Sequence, residues 1–226
     1  TYRFMEKVID EIASMDRDAG VPLIGIHIGG DEVPRGAWDG STAVARLKER
    51  EHLQTQTRVH AYYVQRIAAM LAARHIPMHG WQEVALDHDE DYNKSIAPVV
   101  GGVNCWSTLS RQGNGNVTDR VLLAGFPTIL SNVNHLYFDL AYSRDPQEPG
   151  LAWGGYVDEF SAFNAYAHRL CPAMDKGQGK VLGLNAQVFG ETIHSAAQLK
   201  TYLMPKILGL AERAWNCDST YSEAQF

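Results

Sequence analysis

The sequence predicts an α/β fold: a parallel sheet of five strand–helix units, about the last five units of a (β/α)8 TIM barrel. Three observations predict it. Short apolar runs alternate with stretches whose apolar residues recur every three or four positions, and that alternation implies parallel strands joined by helical crossovers. The chain has 226 residues, enough for a sizeable core but short of the roughly 250 residues and eight strands of a closed barrel. Polar and aromatic residues gather just after the apolar runs, where a barrel builds its sites.

Each element has its own justification. Phe4, Val8, Ile12 and Met15 share a helical spacing that Gly20 stops. "PLIGIHI" (22–28) is too short and too apolar for an amphipathic helix and is expected to be a buried strand. Ser41 caps a helix reaching about His52, and a longer helix covers 56–74 with Val59, Tyr63, Ile67 and Met70 inward. "IPMHGW" (76–81) is a second strand, followed by a solvated acidic tip, "DHDEDYN" (87–93). "PVVGGVNCW" (98–106) is a third, then a Gly/Asn-rich loop and the helix "VTDRVLLAG". "PTILSNVN" (127–134) is a fourth strand; a long loop, "SRDPQEPGLAWGG", precedes helical sequence around 157–169. "KVLGLNAQVFG" (180–190) is a fifth strand, and 195–216 a closing helix with a kink expected at Pro205. No internal repeat or linker interrupts the chain, so 1–226 is expected to form a single domain.

Composition narrows the function classes. Hydrophobic residues make up 45% and charged residues 20%, which is globular composition. A net charge of −6 without a basic patch argues against nucleic-acid partners. No apolar run approaches the about 20 residues of a membrane span. The opening "TYRFMEKVIDEIASM" reads as a helix already under way, without a signal peptide, so the chain is expected to be an excised piece. Cys105, Cys171 and Cys217 form no CxxC pair and imply no disulfide framework.

The strand ends carry the chemistry. Asp31 and Glu32 follow the first strand, His79 and Trp81 the second, Asn104 and Trp106 the third. Asn134, Tyr137 and Asp139 follow the fourth, and Gln187, Phe189 and Glu191 the fifth. In a barrel these ends converge on one face. Rings beside carboxylates and amides suit a sugar, whose flat face stacks while its hydroxyls take hydrogen bonds. Trp38 and Trp215 are expected in the core. His27, His79 and His135 are expected to be buried and hydrogen-bonded. A metal site built from His27, Asp31, Glu32 and His79 is disfavoured, since a catalytic zinc wants about three protein ligands and no helical His-x-x-x-His spacing is present.

"HIGGDE", "GWQE", "CWST", "YFDLAY", "EPGLAWGGYVD", "GLNAQVFGET" and "LGLAERAW", in this order, resemble the family-20 glycoside hydrolases. These are the β-N-acetylhexosaminidases, and the bacterial chitobiase branch is the nearest. The resemblance implies a (β/α)8 catalytic barrel of which this chain is the C-terminal portion. It also implies exo-hydrolysis of terminal N-acetylhexosamine, no cofactor or metal, and a periplasmic or extracellular location. Glu32 would be the general acid and then the base, Asp31 would orient the acetamide and stabilise an oxazolinium, and Tyr137 would donate to the acetamido oxygen. Trp81, Trp106 and Trp153 would wall the acetamido pocket; Asp139 and Glu191 would hold the outer hydroxyls; His27 would border the substrate. Two departures stand out. Phe189 occupies a position where the family usually has Trp, leaving a smaller stacking floor. The family's substrate-gripping Arg and an early Asp and His lie upstream of the matching region, so the chain alone could be an inert sugar-binding or structural piece, self-associating through open sheet edges.

Overall fold

The computed structural model describes residues 1–86, 88–109, 115–177, 179–216 and 220–226. They form two compact units, Thr1–Val103 and Asn104–Phe226. The hydrogen-bonded strand order is β1-β2-β3-β4-β5, which is sequence order, and β1–β2 and β4–β5 pair in parallel. The predicted α/β class and its strand–helix alternation are borne out.

In the first unit, α1 (Tyr2–Asp18) buries Ile9, while Phe4 and Met15 are each 69% exposed. The helix is as the spacing predicts, but most of the Phe4/Val8/Ile12/Met15 stripe faces outward. The opposite face is anchored instead: Tyr2 stacks on Tyr63 at 6.2 Å and Asp10 pairs with Arg74 at 2.6 Å. β1 is only Ile26–His27 and pairs with β2 (Met78–Trp81) in the register Ile26↔Met78 and His27↔His79. The expected strand over 22–28 is thus much shorter and not buried; β1 ends the strand order with one neighbour, and Ile24 is 82% exposed.

Ser41 caps α2 (Thr42–Arg50) by accepting the Val44 N–H, and Thr55 caps α3 (Gln56–Ala72) by accepting that of Arg58. α3 buries Val59, Ile67 and Met70 as expected, with His60, Val64 and Leu71 beside them; Tyr63 is half-buried. The carboxylates of Asp89, Glu90 and Asp91 are exposed, as a solvated segment would have them, but the segment is not a loop. Asp89 caps α4 (Glu90–Ile96) by accepting the Tyr92 N–H at 2.8 Å, a placement of carboxylates that the helix N-terminus favours. Tyr92 is buried and donates to the Val84 carbonyl at 2.8 Å. Asp87, from the same segment, lies outside the described residues. β3 (Val100–Cys105) completes the unit's pairing, with the Met78 N–H donating to the Val99 carbonyl.

In the second unit, α5 (Val117–Leu123) leads to β4 (Thr128–Leu130), which pairs with β5 (Val181–Leu184) through Ile129↔Gly183 and Leu130↔Leu184. Both strands end before the apolar sequence does. After β4 the chain turns into α6 (Val133–Leu136), and after β5 a single parallel bridge joins Gln187 to Tyr137. The helical sequence around 157–169 makes two short helices, α7 (Glu159–Phe163) and α8 (Ala167–Leu170). The closing helix is likewise two, α9 (Ala196–Leu203) and α10 (Lys206–Trp215), parted at Pro205, which has no N–H to continue the ladder. α10 lies close on α7: a Cβ at Gly209 would fall 2.5 Å from the Phe163 nitrogen. Val133, Tyr137, Phe138, Leu140, Val157 and Ala162 form one buried cluster. Trp215 is not core; at the last turn of α10 it is 91% exposed, and Trp38 is half-buried. Among the described residues no helix is long and apolar enough to cross a membrane. Cys217 lies outside the described residues.

Candidate active site

The first unit presents the adjacent carboxylates on a turn that its glycines shape. Gly29, Gly30 and Glu32 hold φ of 73°, 96° and 48°, the left-handed region that glycine enters freely and other residues at a cost. The turn is tied down on both sides. The Trp81 N–H donates to the Gly29 carbonyl at 2.9 Å, and the Gly29 N–H donates to His27 Nδ1 at 3.1 Å. Gly30 has a steric reason too, because a Cβ there would lie 2.4 Å from Val84 Cγ1. Asp31 is half-buried and Glu32 exposed.

A second clamp follows the pair. Gln56, the first residue of α3, donates from Nε2 to the Val33 and Pro34 carbonyls at 3.1 and 2.7 Å. Its Oε1 accepts the Gly36 N–H at 3.1 Å. Glu32, Arg35, Gln56, Thr57, His60 and Glu83 line a cleft of about 340 Å³. His60 is buried there, and burial with the nearby His88 lowers its pKa. Sequence reasoning missed both Gln56 and His60. The only signal for either was a polar residue at the start, or on the apolar face, of a helix.

Two histidine expectations change. His27 is exposed, because β1 is an edge; its ring meets Trp81 edge-on at 5.3 Å. His79 is half-buried between two glycines: Cβ atoms at Gly25 and Gly101 would approach its ring to 2.7 and 2.8 Å. Burial lowers its pKa.

The second unit gathers the aromatics. Tyr137 is buried at the centre of four rings. Trp106 stacks near it at 6.4 Å and Trp153 meets it edge-on at 5.9 Å. Phe189 is tilted against it at 5.4 Å, and Trp106 and Trp153 are 6.1 Å apart. Trp153 and Phe189 are each 39% exposed, so the cluster opens on one side. Trp81, expected on the same wall as Trp106 and Trp153, belongs to the first unit and packs on His27.

Asp139, two residues past Tyr137, is 3% exposed. Burial raises its pKa first of all, against hydrogen bonds from the backbone N–H groups of Phe189 and of Asp139 itself. Its Oδ1 has no hydrogen-bond partner among the described residues, so a buried acceptor is left for something else. Glu191 is exposed. The amides at the strand ends are engaged internally: Asn104 donates to Ser131 Oγ at 3.0 Å, and Asn134 Oδ1 lies 3.2 Å from Thr108 Oγ1. His135 is half-buried, 3.0 Å from Asn134 Oδ1, with a pKa pushed down to about 4 mainly by burial; it is neutral at pH 7.

The comparisons with known proteins agree with the motifs. The model of "Glycosyl hydrolase family 20, catalytic domain" matches residues 1–218. The chain is 27% identical to the N,N'-diacetylchitobiase of Vibrio harveyi, over 95% of this chain and 29% of that protein. It is 29% identical to β-hexosaminidase B of Pseudoalteromonas piscicida, over 96% of this chain and 30% of that protein. The fold superposes with a TM-score of 0.79 on the GH20 exo-β-N-acetylglucosaminidase of Vibrio harveyi in complex with N-acetylglucosamine. That match has 23% identity and covers 98% of this chain and 32% of the other. The chain thus spans under a third of the length of these relatives. With the family model covering almost all of it, the chain belongs to glycosyl hydrolase family 20.

Proposed function

We propose that this chain is the C-terminal portion of a catalytic domain that removes terminal non-reducing N-acetyl-β-D-hexosamine from chitobiose and chitooligosaccharides, with retention. The observation that carries the reading is the Gly29–Glu32 turn, with its two carboxylates on consecutive residues. An ordinary retaining pair flanks the scissile bond from opposite faces about 5–5.5 Å apart. Neighbours on one turn cannot do that. Family 20 is among the substrate-assisted exceptions, in which the 2-acetamido oxygen attacks the anomeric carbon.

Glu32 then protonates the leaving oxygen and afterwards deprotonates the incoming water. Asp31 orients the acetamide N–H and offsets the oxazolinium charge. Tyr137 donates to the acetamido oxygen, with Trp81, Trp106 and Trp153 around the methyl group. Asp139 and Glu191 take the outer hydroxyls, Phe189 lies under the sugar face, and His27 borders it. The four-ring cluster and the unpartnered Asp139 oxygen support the sugar-binding half of this assignment. A periplasmic or extracellular location goes with such a substrate.

In the complete protein, Glu32→Gln should lower turnover of a chromogenic N-acetylglucosaminide by about 10²–10⁴-fold while N-acetylglucosamine still binds. Turnover at the wild-type rate would refute Glu32 as the acid. The 226-residue chain assayed alone tests the second reading, an inert sugar-binding or structural piece, with which Phe189 at the stacking position is consistent. It is expected to show no turnover.

A further inference from the structure

Lys206 is a lysine with no exposed surface, at the first position of α10. Burying an ammonium is costly unless its donors are taken up, and here they are. Its Nζ donates to the Phe138 carbonyl at 2.9 Å and to the Leu140 carbonyl at 2.9 Å. Those two carbonyls flank Asp139. The ammonium also lies 3.8 Å from the centre of the Tyr142 ring and 5.8 Å from that of Tyr202. Tyr142 in turn places its hydroxyl 2.7 Å from the Thr201 carbonyl and 3.1 Å from that of Met204, at the end of α9. The charged groups facing Lys206 are Glu148, Asp139, Asp158 and Glu159.

We infer that Lys206 is a positioning residue that sets the aim of Asp139 at the sugar's outer hydroxyls. The inference rests on the reading of Asp139 as a sugar-binding residue. One cation holding the carbonyls of Phe138 and Leu140 fixes the peptide plane that leads into Asp139 and the plane one residue beyond it, and so restrains the stretch of backbone that carries the Asp139 Cα–Cβ bond. The carboxylate accepts from the backbone N–H groups of Phe189 and of Asp139 itself, while Oδ1 is unpartnered among the described residues, so its aim depends on where the backbone holds it. An apolar residue filling the same volume would pack the core but leave two buried carbonyls and the Asp139 backbone unrestrained.

Burial lowers the Lys206 pKa to about 8, against the attraction of the four carboxylates. A neutral amine keeps two N–H groups and gains a lone pair, so it cannot serve two carbonyls and the Tyr142 ring together. The clamp therefore loosens above about pH 8.

The test is N-acetylglucosamine binding to the complete protein by calorimetry, in a double-mutant cycle. Lys206→Met is expected to weaken binding about tenfold in the wild-type background and to have no effect in Asp139→Ala. The same loss in both backgrounds would mean a generally disturbed structure and overturn the inference. Should Lys206→Met fail to fold, the unmutated protein carries the test. Its affinity should fall severalfold between pH 7 and 9.5, while Asp139→Ala stays flat over that range. A wild-type affinity unchanged over that range, or a fall that Asp139→Ala shares, would overturn it. If the wild type binds no sugar at pH 7, the sugar-binding reading itself fails, and this inference with it.

Discussion

The two units hold their functional groups by opposite means. In the first, Glu32 is exposed and its direction is set by backbone: three left-handed residues within four positions, and the clamp of Gln56 on the chain just beyond. In the second, Asp139 and Tyr137 are buried among side chains: three rings neighbour Tyr137, and a lysine holds the Phe138 and Leu140 carbonyls on either side of Asp139. A group that gives and takes protons needs solvent and a leaving group within reach. A group that discriminates hydroxyls gains from a dry setting, where an unmet hydrogen bond is expensive. Under the proposed assignment of Glu32 as acid and Asp139 as hydroxyl-binding group, the division of labour follows the burial.

That contrast breaks first at Gly30. Its Cβ-less position is enforced by Val84 and by a φ of 96°. Gly30→Ala therefore combines a backbone cost with a clash and should destabilise by about 3 kcal/mol. Gly29 also has a positive φ, 73°, but a Cβ there would meet nothing nearer than Asp31 Oδ1 at 3.6 Å. Gly29→Ala should cost only about 1 kcal/mol. Chemical denaturation of the two variants checks the difference; equal losses would mean that the Val84 contact plays no part in shaping the turn.

The second unit is sharpened by Asp139→Asn, where stability and binding should move in opposite directions. Burial raises the carboxyl's folded pKa, so the folded state favours the protonated form. That stabilisation is present at low pH and lost as pH rises through the folded pKa. At neutral pH the ionised group therefore opposes folding. Asparagine removes the charge and should stabilise by about 1 kcal/mol, while N-acetylglucosamine affinity falls about tenfold, a change of about 1.4 kcal/mol. A variant that loses both stability and affinity would show Asp139 to be a fold-keeping residue.

The same contrast explains what the sequence could disclose. The first unit's carboxylate pair lies in contiguous residues, so "HIGGDE" could be read together with the motifs that follow it, and the caps at Ser41 and Thr55 are equally local. Alternating strands and helices are local as well, which is why the α/β class was legible. Strand lengths were not, because an apolar run extends past its ladder at either end, as Ile24 does before β1 and Val133 after β4. The α1 spacing predicted the helix but not its packing: Tyr2 and Asp10 hold a different face against the rest of the unit. Lys206, Gln56 and His60 matter only through residues from 4 to 68 positions away in the chain: Lys206 to Phe138 is 68, and Lys206 to Tyr202 is 4. No motif announces such a pairing.

The smallest expected effect tests the open side of the aromatic cluster. Phe189 is 39% exposed and tilted against Tyr137 at 5.4 Å. A residue so placed can grow toward solvent without displacing the buried cluster beneath it. Phe189→Trp should therefore leave stability within about 0.5 kcal/mol of wild type, because the added atoms replace water and not protein. The wider indole offers more apolar area to a sugar face, so N-acetylglucosamine should bind more tightly by about 1 kcal/mol, roughly fivefold. Calorimetry on the complete protein measures the change. An unchanged affinity would mean that Phe189 lies off the sugar face, and that Trp106, Trp153 and Tyr137 form the whole of the stacking surface in this unit.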